Sequence, residues 1–263
     1  MSIELIHKKF IESQLKGFIN KYGTIYVGNN LNEFLIFKKI EDYINALKTG
    51  KSLIDNDYRT KKSSADITSG RLAEEIIVYL LDNSFKEKKY KYDIVYRSRG
   101  YEKYNEIFDS LGILEPSKVI IKKYDCDIII VNKNKYYKEK NLFIISSKGT
   151  VRERIGQFIS HLFLMDQDVL DIKYGKNKYK VLFKDKGMSV KYGLVIFDWA
   201  KNRDFDKFTK KDKDRVSSKE VEAKLIYDDK RYGSGIYVLN NYEHLDYVRS
   251  FEDLINDIHL FLQ

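Results

Sequence analysis

Three polar side chains at the ends of two apolar segments are the groups in this sequence best placed to do chemistry. Asp127 opens the run DIIIVN, and Ser146 and Lys148 close the run NLFIISSK. Consecutive β-branched and apolar residues without polar alternation predict strands that are covered on both faces. Side chains alternate between the faces of a strand, so Ser146 and Lys148 point the same way. A hairpin between the two strands brings Asp127 to that face as well.

A carboxylate, a hydroxyl and an ammonium group in one cluster suit the hydrolysis of a phosphodiester. Mg²⁺ prefers hard oxygen ligands such as carboxylates, backbone carbonyls and water. The metal lowers the pKa of a bound water and offsets charge on the phosphoryl oxygens, and a lysine orients or deprotonates the attacking water. The alternative is a purely structural pair, in which Asp127 is a strand-edge acid bound to Lys148.

A second carboxylate for such a metal is expected from the segment SGRLAEEIIVYLL at 69–81. Its apolar residues recur at helical spacing, which predicts an amphipathic helix. Glu74 and Glu75 both lie one turn into this helix. Neither acid is at the centre of the apolar arc, so the periodicity does not choose between them.

The combined pattern resembles the PD-(D/E)xK nuclease superfamily over about residues 67–166. The resemblance rests on Gly70-x-x-x-Glu74 in a helix, Asp127 at the start of a strand and Ser146-x-Lys148 at the end of the next. It implies a catalytic set of Glu74, Asp127, Ser146 and Lys148, with Mg²⁺ held by Glu74 and Asp127.

Three positions of the pattern can be compared in detail with other members of the superfamily. Holliday-junction resolvases of the superfamily carry their helix Glu four residues after a Gly, which favours Glu74 over Glu75. Cys126 stands where a Pro is usual before the strand Asp. Ser146 stands where an acid is usual, which leaves Glu74 and Asp127 to carry the negative charge.

The residues after Lys148 extend the resemblance to type II restriction endonucleases that read sites with a CCGG, CCNGG or CCWGG core. In these enzymes an Arg-(x)-Asp/Glu-Arg element follows the catalytic Lys, and here Arg152, Glu153 and Arg154 begin a predicted helix. Arginine bonds guanine O6 and N7 bidentately and a carboxylate accepts from cytosine N4, so the resemblance implies that the three residues read G/C base pairs. The alternative is an exposed first helical turn.

A further acid of that group is missing from this chain. Many of these enzymes have an acid 13 or 14 residues beyond the Lys, where this sequence has His161 and Leu162. The third acid is therefore placed on the earlier helix, at Glu74.

The elements that position these groups predict an α/β fold, with a mixed central β-sheet flanked by helices, a restriction-endonuclease-like core and an N-terminal helical region. The predicted helices are 3–21, 31–48, 68–84, 102–111, 150–166 and 251–262. The predicted strands are 24–28, 92–97, 126–132, 141–147, 179–183, 192–199 and 235–239. Without a linker or repeat, 1–263 is expected to be a single nuclease domain, comprising a mainly helical region at 1–66, a catalytic core at 67–200 and a C-terminal elaboration at 201–263.

Composition limits the class of partner. The chain has 263 residues and a net charge of +9, which suits a polyanion because Lys and Arg neutralise phosphates, although solvated surface lysines give the same balance. A single cysteine, Cys126, excludes an internal disulfide and favours a reducing cytoplasm. The N-terminal pattern does not predict a signal peptide, and the sequence has no apolar run near the ~18 residues of a membrane span and no Gly-rich phosphate loop. Neither a membrane nor a nucleotide cofactor is expected.

The sequence is therefore interpreted as a type II restriction endonuclease that hydrolyses double-stranded DNA at a short specific site with Mg²⁺. A symmetric site is read most economically by a two-fold dimer, so a homodimer is expected. Two alternatives stay open: a structure-selective or repair nuclease of the same superfamily, and a catalytically silent, sequence-specific DNA-binding protein.

Overall fold

The computed structural model describes residues 3–48, 62–96, 99, 101–114, 120–123, 126–135, 140–148, 166–176, 178–196, 233–239 and 248–263. Within these ranges the helices are α1 (Ile3–Tyr22), α2 (Thr24–Asn29), α3 (Ile36–Lys48), α4 (Lys62–Glu87), α5 (Tyr101–Ser110), α6 (Gln167–Tyr174), α7 (Leu182–Asp185) and α8 (Phe251–Leu262). The strands are β1 (Tyr92–Tyr96), β2 (Gly112–Leu114), β3 (Ile120–Lys123), β4 (Ile128–Asn132), β5 (Asn141–Lys148), β6 (Lys180–Val181), β7 (Ser189–Ile196), β8 (Gly233–Val238) and β9 (Val248–Arg249).

The larger sheet is mixed, as the sequence predicts, with the strand order β1-β4-β5-β7-β8-β9. The β1–β4 and β4–β5 pairs are antiparallel, whereas β5–β7, β7–β8 and β8–β9 are parallel. A smaller sheet has the order β3-β2-β6. The antiparallel β4–β5 pair is the predicted hairpin, and it sets the start of β4 beside the end of β5.

Helices cover both faces of β4 and β5, which explains why these strands are apolar without alternation. One face packs against α4 and α8 through Ile128, Ile130, Phe143 and Ile145, in the same core as α1–α3. The opposite face packs against α5 and the smaller sheet through Ile129, Val131, Leu142 and Ile144. Full burial of each such side chain contributes about 1.5–3 kcal/mol, so the two layers fix which residues of each strand face α4.

The last helix closes the α4-side layer against the N-terminal helices. Ser250 begins α8 with a capping box, in which its hydroxyl accepts from the Asp253 backbone and the Asp253 carboxylate accepts from the Ser250 backbone. The buried ring of Phe251 lies against Gly28 of α2, where an added Cβ would be 2.2 Å from the ring Cδ1. Close approach of α2 to α8 therefore requires glycine at position 28.

Two strand predictions were wrong. The segment at 24–28 is part of α2, because Val27 and Gly28 pack in the helical layer beneath Phe251, and tertiary packing overrides the strand preference of its β-branched residues. In the segment at 179–183 the strand covers only Lys180–Val181, and the chain then turns into α7.

The remaining elements show what the sequence predicts and what it misses. The sequence does not predict β2, β3, β9 or α6. The predicted helix at 150–166 lies outside the described residues apart from Asp166, which caps α6. The other predicted helices and strands are present, although several bounds shift and α3 begins at Ile36. No helix in the described part of the chain is long and apolar enough to span a membrane.

Candidate functional site

Asp127 lies directly before β4, where the β4–β5 pairing ends. Its backbone N–H donates to the Ile145 carbonyl at 3.1 Å, and its Oδ2 accepts from the Ser147 backbone N–H at 2.6 Å. The carboxylate therefore takes the place of a backbone carbonyl in the ladder. Because ladder N–H groups lie in the plane of the sheet, the Asp127 carboxylate lies at the sheet edge between the two faces.

The structure brings Ser146 to Asp127. The Ser146 hydroxyl is 3.5 Å from Asp127 Oδ2, and the side chain is buried on the face that packs against α5. Lys148 is the last residue of β5, two residues beyond Ser146, and it pairs with Ile196 of β7. The backbone thus places the Ser146-x-Lys148 segment beside Asp127.

Ser147 lies between these two residues and points to the opposite face. It alternates with Ile145, so its side chain is on the α4 side of the sheet. Its hydroxyl is buried and has no hydrogen-bond partner among the described residues. Buried hydroxyls without a partner are rare in proteins, and a bound water or ion is one way in which such a group is satisfied.

The two helix acids differ in their surroundings. Glu75 of α4 is only 5% exposed, and both of its carboxylate oxygens are 3.1 Å from the Tyr96 hydroxyl, which donates to them. Burial and the Glu75 charge raise the pKa of Tyr96, so that its hydroxyl stays protonated and remains a donor. Glu74 is half-buried.

Sequence reasoning did not single out Tyr96, whose hydroxyl donates to Glu75. Its only sequence signal is its position at the end of a strand in which Tyr92, Ile94 and Tyr96 alternate toward one face. That signal marks core residues in general.

A second tyrosine fixes the chain just before the strand acid. The hydroxyl of Tyr104 in α5 donates to the Cys126 carbonyl at 2.6 Å, and the Cys126 side chain, which forms no disulfide, is buried. A small buried residue thus occupies the position before Asp127.

The donor atoms at the strand ends fit a hard divalent cation in type, since they are carboxylate and hydroxyl oxygens. Among the described residues, however, no group of three or more His, Cys, Asp and Glu side chains is close enough to hold a metal ion. A cation here would take ligands from Asp127, an α4 acid and non-protein oxygens such as water or phosphate.

The predicted base-reading residues Arg152, Glu153 and Arg154 lie outside the described residues, as does His161. Their roles stay predictions from the sequence.

The fold is of the α/β class. The β4–β5 hairpin places the Asp127 carboxylate next to the Ser146-x-Lys148 segment. The chain belongs to the BsaWI family of type 2 restriction endonucleases, whose model matches residues 100–258, more than half of the chain. The protein is therefore a type II site-specific nuclease that binds and cleaves DNA. The matched range contains Asp127, Ser146 and Lys148, whereas α4 and β1 precede it.

Two solved structures are similar over most of their length. Restriction endonuclease PspGI in complex with substrate DNA is 16% identical, with 85% of this chain and 91% of that chain covered and a TM-score of 0.29. Restriction endonuclease BsaWI in a pre-specific DNA complex is 14% identical, with 100% and 91% covered and a TM-score of 0.33. Both TM-scores are low, so family membership rests on the sequence match. No curated protein matches the sequence significantly.

Proposed function

We propose that this protein is a Mg²⁺-dependent restriction endonuclease that cuts double-stranded DNA at a short specific sequence, with its chemistry at the paired ends of β4 and β5. The observation that carries the proposal is the Asp127 carboxylate, held by the Ser147 N–H at 2.6 Å beside the Ser146 hydroxyl. Lys148 follows two residues later, and all of these residues lie within the family match.

Each residue has a distinct role in this proposal. Asp127 and an acid of α4, which the superfamily pattern assigns to Glu74, hold the metal. When bound, Mg²⁺ lowers the pKa of a water and offsets charge on the phosphate. The Ser146 hydroxyl donates to a water or phosphate oxygen, and the Lys148 ammonium orients or deprotonates the attacking water.

Sequence recognition is assigned to Arg152, Glu153 and Arg154, which we propose read G/C base pairs as in the CCGG- and CCNGG-reading enzymes. An arginine that bonds guanine bidentately contributes about 1–3 kcal/mol of discrimination. Replacing Arg152 with Ala is therefore expected to relax site preference about tenfold or more in a binding assay on matched and mismatched duplexes. Unchanged preference would refute the base-reading role.

The proposed assembly is a homodimer acting in the cytoplasm, since a two-fold dimer presents one site to each strand of a symmetric sequence.

Digestion of plasmid DNA with and without Mg²⁺ tests the proposed activity against its rivals. Discrete fragments that need Mg²⁺ support a restriction endonuclease. Nicking that depends on branched or damaged DNA would instead indicate a structure-selective nuclease, and binding without cleavage would indicate a silent DNA-binding protein.

The Lys148→Ala variant tests the role of the lysine. General acid–base groups contribute about 10²- to 10⁴-fold to rate, so cleavage is expected to fall by that range while specific DNA binding is retained. Full activity in this variant would overturn the assignment of Lys148.

A further inference from the structure

We infer, on the basis of the proposed function, that Tyr104 of α5 is a positioning residue for Asp127, because it holds the peptide group from which this acid projects. Both residues lie within the range 100–258 that matches the family. The superfamily pattern consists of two acids and a Ser-x-Lys segment, and it assigns no role to a tyrosine of α5.

The peptide group between Cys126 and Asp127 is held at both ends. Its carbonyl, which belongs to Cys126, accepts from the Tyr104 hydroxyl at 2.6 Å. Its N–H, which belongs to Asp127, donates to the Ile145 carbonyl at 3.1 Å. A peptide group is planar and its C=O and N–H point in opposite directions, so the two hydrogen bonds together fix the orientation of the plane.

A third hydrogen bond fixes the side chain of the acid. The Asp127 Oδ2 accepts from the Ser147 N–H at 2.6 Å. Two of the three bonds therefore come from β5, the strand paired with β4, and the bond from Tyr104 comes from a helix that packs on the sheet. Tyr104 thus adds a constraint from outside the hairpin.

The Tyr104 hydroxyl is itself held in place by packing. The side chain is 8% exposed, and its ring stacks on Phe108 one turn later in α5, with ring centroids 5.6 Å apart and planes 11° apart. It belongs to the same core as Ile129 of β4. The neighbouring Lys103 binds Asp93 of β1 at 3.4 Å, which joins α5 to the strand beside β4. The helix therefore presents the hydroxyl to the sheet from a fixed position.

The position of the carboxylate matters because Mg²⁺ demands near-ideal octahedral geometry from its ligands. Groups that hydrogen-bond and orient metal ligands typically contribute about 10- to 100-fold to metal affinity or activity. Tyr104 holds the backbone of Asp127 and not its carboxylate, so we expect an effect at the lower end of that range, about tenfold.

Replacing Tyr104 with Phe removes only the hydroxyl, and Tyr92→Phe is a matched control. Tyr92 is 7% exposed, and its hydroxyl forms a hydrogen bond of the same 2.6 Å length with His259. It pairs with Asn132 at the opposite end of β4 from Asp127. Each variant loses one buried hydroxyl, so a general loss of stability affects both.

Two measurements separate positioning from stability. In the metal-free protein, Tyr104→Phe is expected to speed hydrogen exchange of the Asp127 N–H, read by NMR, by up to about tenfold, which is the range of one hydrogen bond. In cleavage assays it is expected to raise the Mg²⁺ concentration for half-maximal rate about tenfold. Tyr92→Phe is expected to match the wild type in both, because loss of stability alone lowers the amount of active enzyme and not its Mg²⁺ requirement.

An unchanged Mg²⁺ requirement or unchanged Asp127 exchange in Tyr104→Phe would overturn the inference, as would the same changes in Tyr92→Phe. The proposed function is tested separately by Asp127→Asn. If Asp127→Asn is inactive and Tyr104→Phe matches the wild type, only the role of Tyr104 fails. If Asp127→Asn cuts as the wild type does, the proposed function itself fails.

Discussion

The Asp127 carboxylate acts as an extra acceptor in the β4–β5 ladder, and this explains how a charged side chain is tolerated next to the core. The carboxylate accepts a hydrogen bond from the Ser147 N–H at 2.6 Å. Because the acceptor is charged, this bond is stronger than one between neutral groups. The same bond fixes the carboxylate at the sheet edge. The fold needs only a hydrogen-bond acceptor at this position, which asparagine also provides, whereas the proposed metal binding needs the negative charge.

The tyrosines of β1 predict a loss of stability at alkaline pH. Burial raises the pKa of Tyr92 from its ordinary value of 10 to about 12, and burial with the Glu75 charge raises that of Tyr96. A hydroxyl whose pKa is higher in the folded state contributes stability that is fully present below pH 10 and is lost as pH rises through the folded pKa.

We expect the urea midpoint of the wild type to fall between pH 9 and pH 11, and to fall less in the Tyr92→Phe and Tyr96→Phe variants. Identical pH slopes in all three proteins would show that these hydroxyls titrate normally.

At the residue scale, the sequence predicts that Asp127, Ser146 and Lys148 lie together, because strand ends and i, i+2 spacing are local properties. Helical periodicity does not separate Glu74 from Glu75, since both lie at the edge of the same helical arc, and only the resemblance to the superfamily favours Glu74. In the structure Glu75 is the acid that accepts from the Tyr96 hydroxyl, a partner 21 residues away that helical periodicity does not reveal.

The helices on the α4 side depend on one close contact between elements. Gly28 of α2 lies under the buried Phe251 ring of α8, and a Cβ there would be within 2.2 to 2.8 Å of three ring atoms. Gly17 of α1 is also helical, but a Cβ there would meet nothing within 4 Å. The two glycines therefore make a matched pair for the same substitution.

Gly28→Ala is expected to destabilise the protein by about 1–3 kcal/mol, because the rigid ring and the added methyl cannot both fit. Gly17→Ala is expected to stabilise by about 0.5–1 kcal/mol, because alanine is the better helix former. Urea unfolding measures both. A stabilised Gly28→Ala variant would show that α2 and α8 are not in close contact.

At the element scale, helical periodicity predicts α1, α4 and α8, and β-rich runs predict β4, β5 and β8, because each of these has a consistent local pattern. The segment at 24–28 has strand-forming residues but lies in α2, a helix of only six residues that is stabilised by packing against α1, α4 and α8. The contact with α8 joins residues more than 200 positions apart, so no local pattern predicts it.

For the whole molecule, the proposed dimer makes a prediction about mixed subunits. If each subunit cuts one strand, a dimer of wild-type and Asp127→Asn chains holds one active site. Mixing the two proteins and allowing subunits to exchange is expected to convert supercoiled plasmid to the nicked form. Linear product in proportion to the wild-type chain alone would indicate that one subunit cuts both strands.

The net charge of +9 also acts at the scale of the whole molecule. Contacts from Lys and Arg to phosphate release counterions, so DNA binding is expected to weaken steeply between 50 and 200 mM salt, by orders of magnitude for ~6–10 contacts. A salt-independent affinity, measured by fluorescence anisotropy, would mean that the basic residues do not face DNA.

The most direct test of the central claim is cleavage by Asp127→Asn. Asparagine still accepts from Ser147 N–H, so the fold is retained, but the negative charge that holds Mg²⁺ is gone. Asp166→Asn is the control, since either residue caps α6 equally well. With Mg²⁺, wild type and Asp166→Asn are predicted to give the same discrete DNA fragments, and Asp127→Asn is predicted to give none while still binding the DNA. Wild-type cleavage by Asp127→Asn would contradict a catalytic site at the end of β4 and β5.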